Sequence, residues 1–143
     1  MTTGREILLA GRATAYFWAK RFVGMTIRAF SHAFRGLSDV LRTQRNARFH
    51  AVAAGVVVLT GGLLGLSLVE WALVALCIAL VGALEVVNTA IEYVTDLACP
   101  HYHPLAGKAK DAAAGAVFLG AWGAAVVGGI IFGPKFAALL GLF

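Results

Sequence analysis

From Phe49 to Gly107 the chain has no lysine and no arginine. Charged residues make up 13% of its 143 residues, against roughly 25% in an average soluble domain. Hydrophobic residues make up 60%, which excludes a disordered chain. A chain this short has too little interior to hide so much apolar surface, which argues against a soluble single domain. The composition calls for lipid as the solvent. Cysteine is scarce as well: Cys77 and Cys99 form neither a disulfide framework nor a zinc pattern, and read as small apolar fillers. No signal-peptide core is expected, because Arg12, Lys20, Arg21 and Arg28 interrupt every early apolar run. No GxxxxGK[ST] phosphate loop and no soluble-kinase motif set is present; GLLGLS and similar runs are span packing.

What charge there is lies mostly at the front. Nine of the 12 basic residues fall at or before Arg48, and the other three are Lys108, Lys110 and Lys135. A net charge of +5 would suit nucleic acid. That reading is rejected, because the basic segment adjoins long apolar runs and so reads as membrane surface. Arg21, Arg28, Arg35 and Arg42 recur every seven residues, which keeps them on one helix face. Phe17, Trp18, Phe22, Ile27, Phe30, Phe34 and Leu37 surround that stripe. The pattern predicts an amphipathic helix in the interface. A partly disordered basic arm over residues 1–20 is the alternative there.

Three apolar runs follow. Ala51 to Val69 is broken only by Thr60 and Ser67, and its length suits one bilayer crossing. Glu70 and Trp71 mark a short interfacial turn, with Glu70 expected to be solvated. A second run starts at Trp71 and ends at Pro100 and Pro104. The third, Ala112 to Phe132, is closed by Gly133, Pro134 and Lys135. Its glycines keep it slim for close packing. The expected organisation is a basic extension over 1–24 and a membrane domain over 25–143. Within that domain a surface helix covers about 25–46, and spans cover about 48–67, 70–97 and 108–133. The fold class is all-α. The positive-inside rule places the N-terminus and the 97–111 loop in the cytoplasm; Lys135 alone argues the other way.

The second run carries the chemistry. At about 100° per residue, Glu85, Asn88, Glu92 and Asp96 fall within a sector of about 80°, with Thr89 beside it. Each ionised carboxylate near a bilayer centre costs roughly 3 kcal/mol, so this face must meet protein, water or a cation. An interhelical network with Lys108, Lys110 or surface-helix cations would satisfy part of it. Glu85, about two turns deeper than Glu92, has no obvious partner in its own chain. The loop with His101, His103, Lys108 and Lys110 points to phosphate chemistry. One carboxylate can hold Mg²⁺, another can take a hydroxyl proton, and Lys110 can stabilise phosphoryl charge. Spacing alone leaves a proton or cation carrier using Glu85, Glu92 and Asp96, and a structural subunit, as other readings.

The stretch EVVNTAIEYVTDLACPHYHPLAGKAKD, Glu85 to Asp111, resembles the signature of the small bacterial integral-membrane lipid kinases, diacylglycerol kinase and undecaprenol kinase. The similarity runs from about Phe30 to Lys135 through RNARFH, SLVEW, AKDAAAGAV and IIFGPK. It implies a homotrimer in the bacterial inner membrane, with three spans per chain and an amphipathic surface helix. Its active sites would lie between chains near the cytoplasmic face, and ATP with Mg²⁺ would phosphorylate a lipid alcohol. By position, Glu85 is similar to the catalytic base and Asn88 to its orienting partner. Glu92 resembles a metal ligand. His101, Tyr102, His103, Lys110 and Asp111 match nucleotide contacts, with Lys110 and Asp111 also counted as catalytic. The family usually carries a second metal-binding Glu where this chain has Gln44, which offers an amide oxygen without charge. His32 stands where an aromatic hydroxyl is common near the nucleotide. PHYHPLAGKAKDAAAGAV and IIFGPK look more like the undecaprenol branch, so undecaprenol is the expected substrate and diacylglycerol the alternative. His50 is expected to be an interfacial cap, and Trp71 and Trp122 interface and packing aromatics.

Overall fold

The computed structural model describes the backbone from Gly4 to Leu142, and the side chains of Trp18, Arg21, Phe22 and residues 24–142. It has four helices: α1 (Gly4–Thr43), α2 (Arg45–Leu64), α3 (Leu68–Ala98) and α4 (Pro104–Leu139). No strand occurs among the described residues. α2, α3 and α4 are each long and apolar enough to cross a membrane. The chain divides into two compact units between Ser38 and Asp39.

In the first unit α1 is helical from Gly4 and passes residue 24 without a break. The Arg21 guanidinium lies over the Trp18 ring, 5.7 Å from its centroid. Thr26 Oγ1 donates to the Phe22 carbonyl at 2.9 Å. Phe22, Ile27, Phe30 and Phe34 are exposed on this helix. The side chains of Arg5, Arg12, Phe17 and Lys20 lie outside the described residues.

The second unit starts with the last turn of α1. A single extended residue, Gln44 (φ −95°, ψ 121°), separates α1 from α2. Arg48 Nη1 donates to the Arg42 carbonyl at 2.8 Å, placing a cation on the unsatisfied C-terminal end of α1. α2 ends at Gly65, whose φ of 66° is left-handed and suits glycine. The turn into α3 is a reciprocal cap. Ser67 Oγ accepts from the Glu70 backbone at 3.4 Å, and Glu70 Oε2 accepts from the Ser67 backbone at 2.7 Å.

Glu70 also pairs with Lys135 of α4 at 3.3 Å. It is therefore engaged twice, and the expectation of a solvated Glu70 is corrected. Beside this clasp lies the apolar core: Leu66, Val74, Ile131 and Phe132, with Val57, Leu64, Trp71, Ile78 and Val127 packed against it. Trp71 is thus a packing residue as well as a turn marker.

α3 is the central element; it packs along α4 and, over a shorter stretch, against α2. Gly120 permits the closest α3–α4 approach, since a Cβ there would fall 2.5 Å from Leu84 Cδ1. α4 begins with His103 as its cap, accepting from the Leu105 backbone at 3.2 Å, and with Pro104 in its first turn. The expected stop at Gly133–Pro134 does not occur, and the helix continues to Leu139. Proline removes only one donor and leaves a tolerable kink. Past Pro134 the helix is held by the Lys135–Glu70 pair and by the Phe132–Phe136 ring contact.

Candidate active site

The polar face of α3 is turned inward. Glu85 is 3% exposed, Asn88 8% and Thr89 1%, while Ala83, Val87, Ala90 and Val94 on the opposite face are exposed. Thr89 is neutralised locally, because its hydroxyl donates to the Glu85 carbonyl at 2.9 Å. Glu85 and Asn88 are not fully satisfied. Glu85 Oε1 and Asn88 Oδ1 are enclosed and make no hydrogen bond. Buried polar atoms are ordinarily paired, so these two oxygens, one turn apart, have the capacity to accept from a further group.

Glu85 does have a neighbour in its own chain, which corrects the expectation that it had none. His50 Nε2 of α2 lies 3.3 Å from Glu85 Oε1. The pair is close enough for charge attraction but is not aligned as a hydrogen bond. His50 is accordingly more than an interfacial cap. Its ring meets Phe49 edge-on, with centroids 5.6 Å apart and planes at 76°.

One turn along α3, Asn88 Nδ2 donates to Glu92 Oε1 at 2.8 Å, which fixes the carboxylate's direction. Glu92 is half-buried. A carboxylate beside an unpartnered amide oxygen is a hard-oxygen donor set of the kind Mg²⁺ takes, in combination with substrate phosphates. Among the described residues no group of three His, Cys, Asp or Glu side chains could hold a metal ion. Gln44 caps nothing with its side chain, and no hydrogen bond joins it to Asn88 or Glu92 among the described residues.

The remaining candidates make contacts of their own. Lys110 of α4 pairs with Asp96 of α3 at 2.5 Å, which ties the two helices at the loop end. Asp111 is exposed. His101, Tyr102 and His103 are all exposed in the α3–α4 loop, Tyr102 by 93%. The His101 carbonyl accepts from Cys99 Sγ at 3.2 Å, and His103 is occupied as the α4 cap. His32 lies in the first unit, where Arg35 Nη2 stands 2.6 Å from its Nδ1.

The sequence reading missed a second anchor. Tyr93 Oη donates to Asp39 Oδ2 at 3.0 Å and lies 3.1 Å from Thr43 Oγ1. This ties the end of α1 to α3 one residue past Glu92. The available signal was the Asp39–Thr43 spacing, which puts both on one face of the last turn.

Residues 31–132 match the prokaryotic diacylglycerol kinase family. Undecaprenol kinase of Bacillus subtilis is 47% identical over 108 residues, covering 76% of this chain and 88% of that protein. A diacylglycerol kinase of Synechocystis is 42% identical over 113 residues, covering 78% and 65%. The diacylglycerol kinase of Haemophilus influenzae is 30% identical over 107 residues, covering 74% and 91%. A kinase family implies ATP as phosphoryl donor. The chain therefore belongs to the prokaryotic diacylglycerol kinase family of membrane lipid kinases.

Proposed function

We propose that the protein phosphorylates undecaprenol from Mg²⁺–ATP at the cytoplasmic edge of the bacterial inner membrane. The observation that carries this is the inward face of α3, where Glu85 and Asn88 are enclosed yet leave oxygens unpartnered beside the fixed Glu92 carboxylate. Undecaprenol is favoured over diacylglycerol by the higher identity to an undecaprenol kinase.

Helix length supports the placement. α3 has 31 residues, or about 46 Å at 1.5 Å each. The hydrocarbon core is only about 30 Å thick, roughly 20 residues of helix. Counted from Leu68, those residues end near Val87. Glu85 then sits at the inner rim of the hydrocarbon, and Asn88, Glu92 and Asp96 lie among headgroups. That removes most of the insertion cost that three carboxylates would carry at mid-bilayer. The Glu70–Lys135 pair supports the same orientation, because it neutralises the single cation on the outer side.

The chemistry follows from these positions. The lipid hydroxyl enters at the rim beside Glu85, which accepts its proton as the oxygen attacks the γ-phosphorus. The new oxygen–phosphorus bond forms as the bond to the leaving ADP oxygen breaks, and the proton stays on Glu85. Asn88 orients Glu92, and Glu92, with the Asn88 amide oxygen, would hold Mg²⁺ against the phosphates. Gln44 would add a neutral oxygen from the α1–α2 junction. When bound, Mg²⁺ neutralises charge on the transferring group. Lys110, aligned by Asp96, supplies further positive charge, and Asp111 with the His101–His103 loop takes the nucleotide.

The assembly is a homotrimer, with the N-terminal helix on the membrane surface, basic stripe toward headgroups. Among the described residues of one chain no three His, Cys, Asp or Glu side chains gather at a metal site. A neighbouring chain would bring the missing groups.

Purified protein in vesicles carrying undecaprenol or diacylglycerol, given labelled ATP with and without Mg²⁺, tests the proposal. Mg²⁺-dependent labelling of undecaprenol at the higher rate is expected. Faster labelling of diacylglycerol reverses the substrate choice, and labelling of neither ends the kinase reading.

A further inference from the structure

α2 meets α3 through a seam. Ala47, His50, Ala54, Val57, Gly61 and Leu64 follow a three-four spacing, and each is buried or half-buried. Five of the six are small or apolar. His50 is the polar exception, and it occurs where the seam meets Glu85.

We propose that His50 is a positioning residue for Glu85. It stands beside Glu85 Oε1 and fixes the direction in which the carboxylate faces the lipid hydroxyl. This rests on the kinase reading above and deepens it. A carboxylate withdrawn from water needs a counter-charge or a donor. Glu85's side chain is 4% exposed and His50's is 25%, so the imidazole bridges the enclosed acid and the more open edge of the bundle. Nε2 stands 3.3 Å from Oε1, within reach of an N–H···O bond although not aligned as one. The same ring meets Phe49 edge-on. Among the described residues no side chain hydrogen-bonds Glu85 Oε1, and His50 Nε2 is the one basic nitrogen within 4 Å of it. His50 touches neither phosphate nor metal in this scheme; it acts through Glu85.

The test compares His50→Leu, His50→Gln and wild type in Mg²⁺–ATP-dependent phosphorylation of undecaprenol in vesicles. His50→Leu should lower kcat about 10- to 100-fold, the scale of a misplaced catalytic group. KM for ATP should stay within about twofold, because ground-state nucleotide binding is untouched. His50→Gln keeps an N–H donor of similar reach and should recover most of the lost kcat. An unchanged kcat in His50→Leu, a matching rise in KM for ATP, or a glutamine no better than leucine overturns the proposal.

A second readout does not depend on turnover. In detergent, His50→Leu should lower the thermal midpoint when Glu85 is present, and should not when Glu85→Gln is also made. Equal losses in both backgrounds would mean that the two residues are uncoupled, and the pairing fails. If wild-type protein phosphorylates no lipid alcohol, the kinase reading falls and the catalytic role of His50 falls with it. Wild-type turnover with an indifferent His50→Leu removes only the role of His50.

Discussion

The two ends of α3 are built to opposite rules. At the Leu68 end, Glu70 closes a reciprocal cap with Ser67, pairs with Lys135, and sits beside the apolar core of Leu66, Val74, Ile131 and Phe132. Each of that carboxylate's oxygens has a partner: Oε2 the Ser67 backbone and Oε1 the Lys135 ammonium. At the Glu85–Asp96 end, Glu85 and Asn88 are more deeply enclosed than Glu70, yet each leaves an oxygen without a hydrogen bond. A glutamate that only stabilises is fully satisfied within its own chain. In the proposed mechanism Glu85 is the glutamate that works on a substrate, and it has no backbone donor of the kind Ser67 gives Glu70, only the His50 imidazole beside Oε1.

This contrast can be broken by substitution at either end. The largest effect is expected from Glu85→Gln, which keeps shape and removes the proton acceptor. Phosphoryl transfer should fall about 10²- to 10⁴-fold, the usual contribution of a general base, with helix content by circular dichroism unchanged. Asn88→Ala frees Glu92 from its orienting amide and should cost about 10- to 100-fold in Mg²⁺ affinity or turnover, read as the Mg²⁺ dependence of the rate.

Gln44→Glu sharpens the comparison from the other direction. Restoring a charge at the α1–α2 junction should lower the Mg²⁺ concentration for half-maximal rate by a few fold; an unchanged dependence removes Gln44 as a ligand. The smallest functional effect belongs to Ser67→Ala. It should cost about 1 kcal/mol of stability, the typical value of a helix cap, seen as a lower thermal midpoint in detergent, with the transfer rate unaltered.

Much of this was legible in the sequence, for physical reasons. The absence of cations from Phe49 to Gly107 sets out the first two spans, the uncharged run from Ala112 to Phe132 sets out the third, and the three-four spacing of Glu85, Asn88, Glu92 and Asp96 places them on one helix face without any tertiary information. The parts that were hidden depend on pairing between distant segments. His50 reads as a single histidine at the start of a span until α2 is laid against α3. Glu70 and Lys135 meet only because α3 and α4 run side by side, so a lone glutamate at a turn looked solvated. Tyr93, Asp39 and Thr43 likewise meet across separate helices. Pro134 misled for a different reason: the turn after it is held by the Lys135–Glu70 pair and the Phe132–Phe136 ring contact, neither of which shows in the local sequence.

The central claim is that the inward face of α3 is unsatisfied because it performs phosphoryl transfer. The most direct measurement is the initial rate of Mg²⁺–ATP-dependent undecaprenol phosphorylation by Glu85→Gln and Glu70→Gln, prepared side by side with wild type. The account predicts near-complete loss in Glu85→Gln and a wild-type rate in Glu70→Gln. Equal rates in the two variants would contradict it.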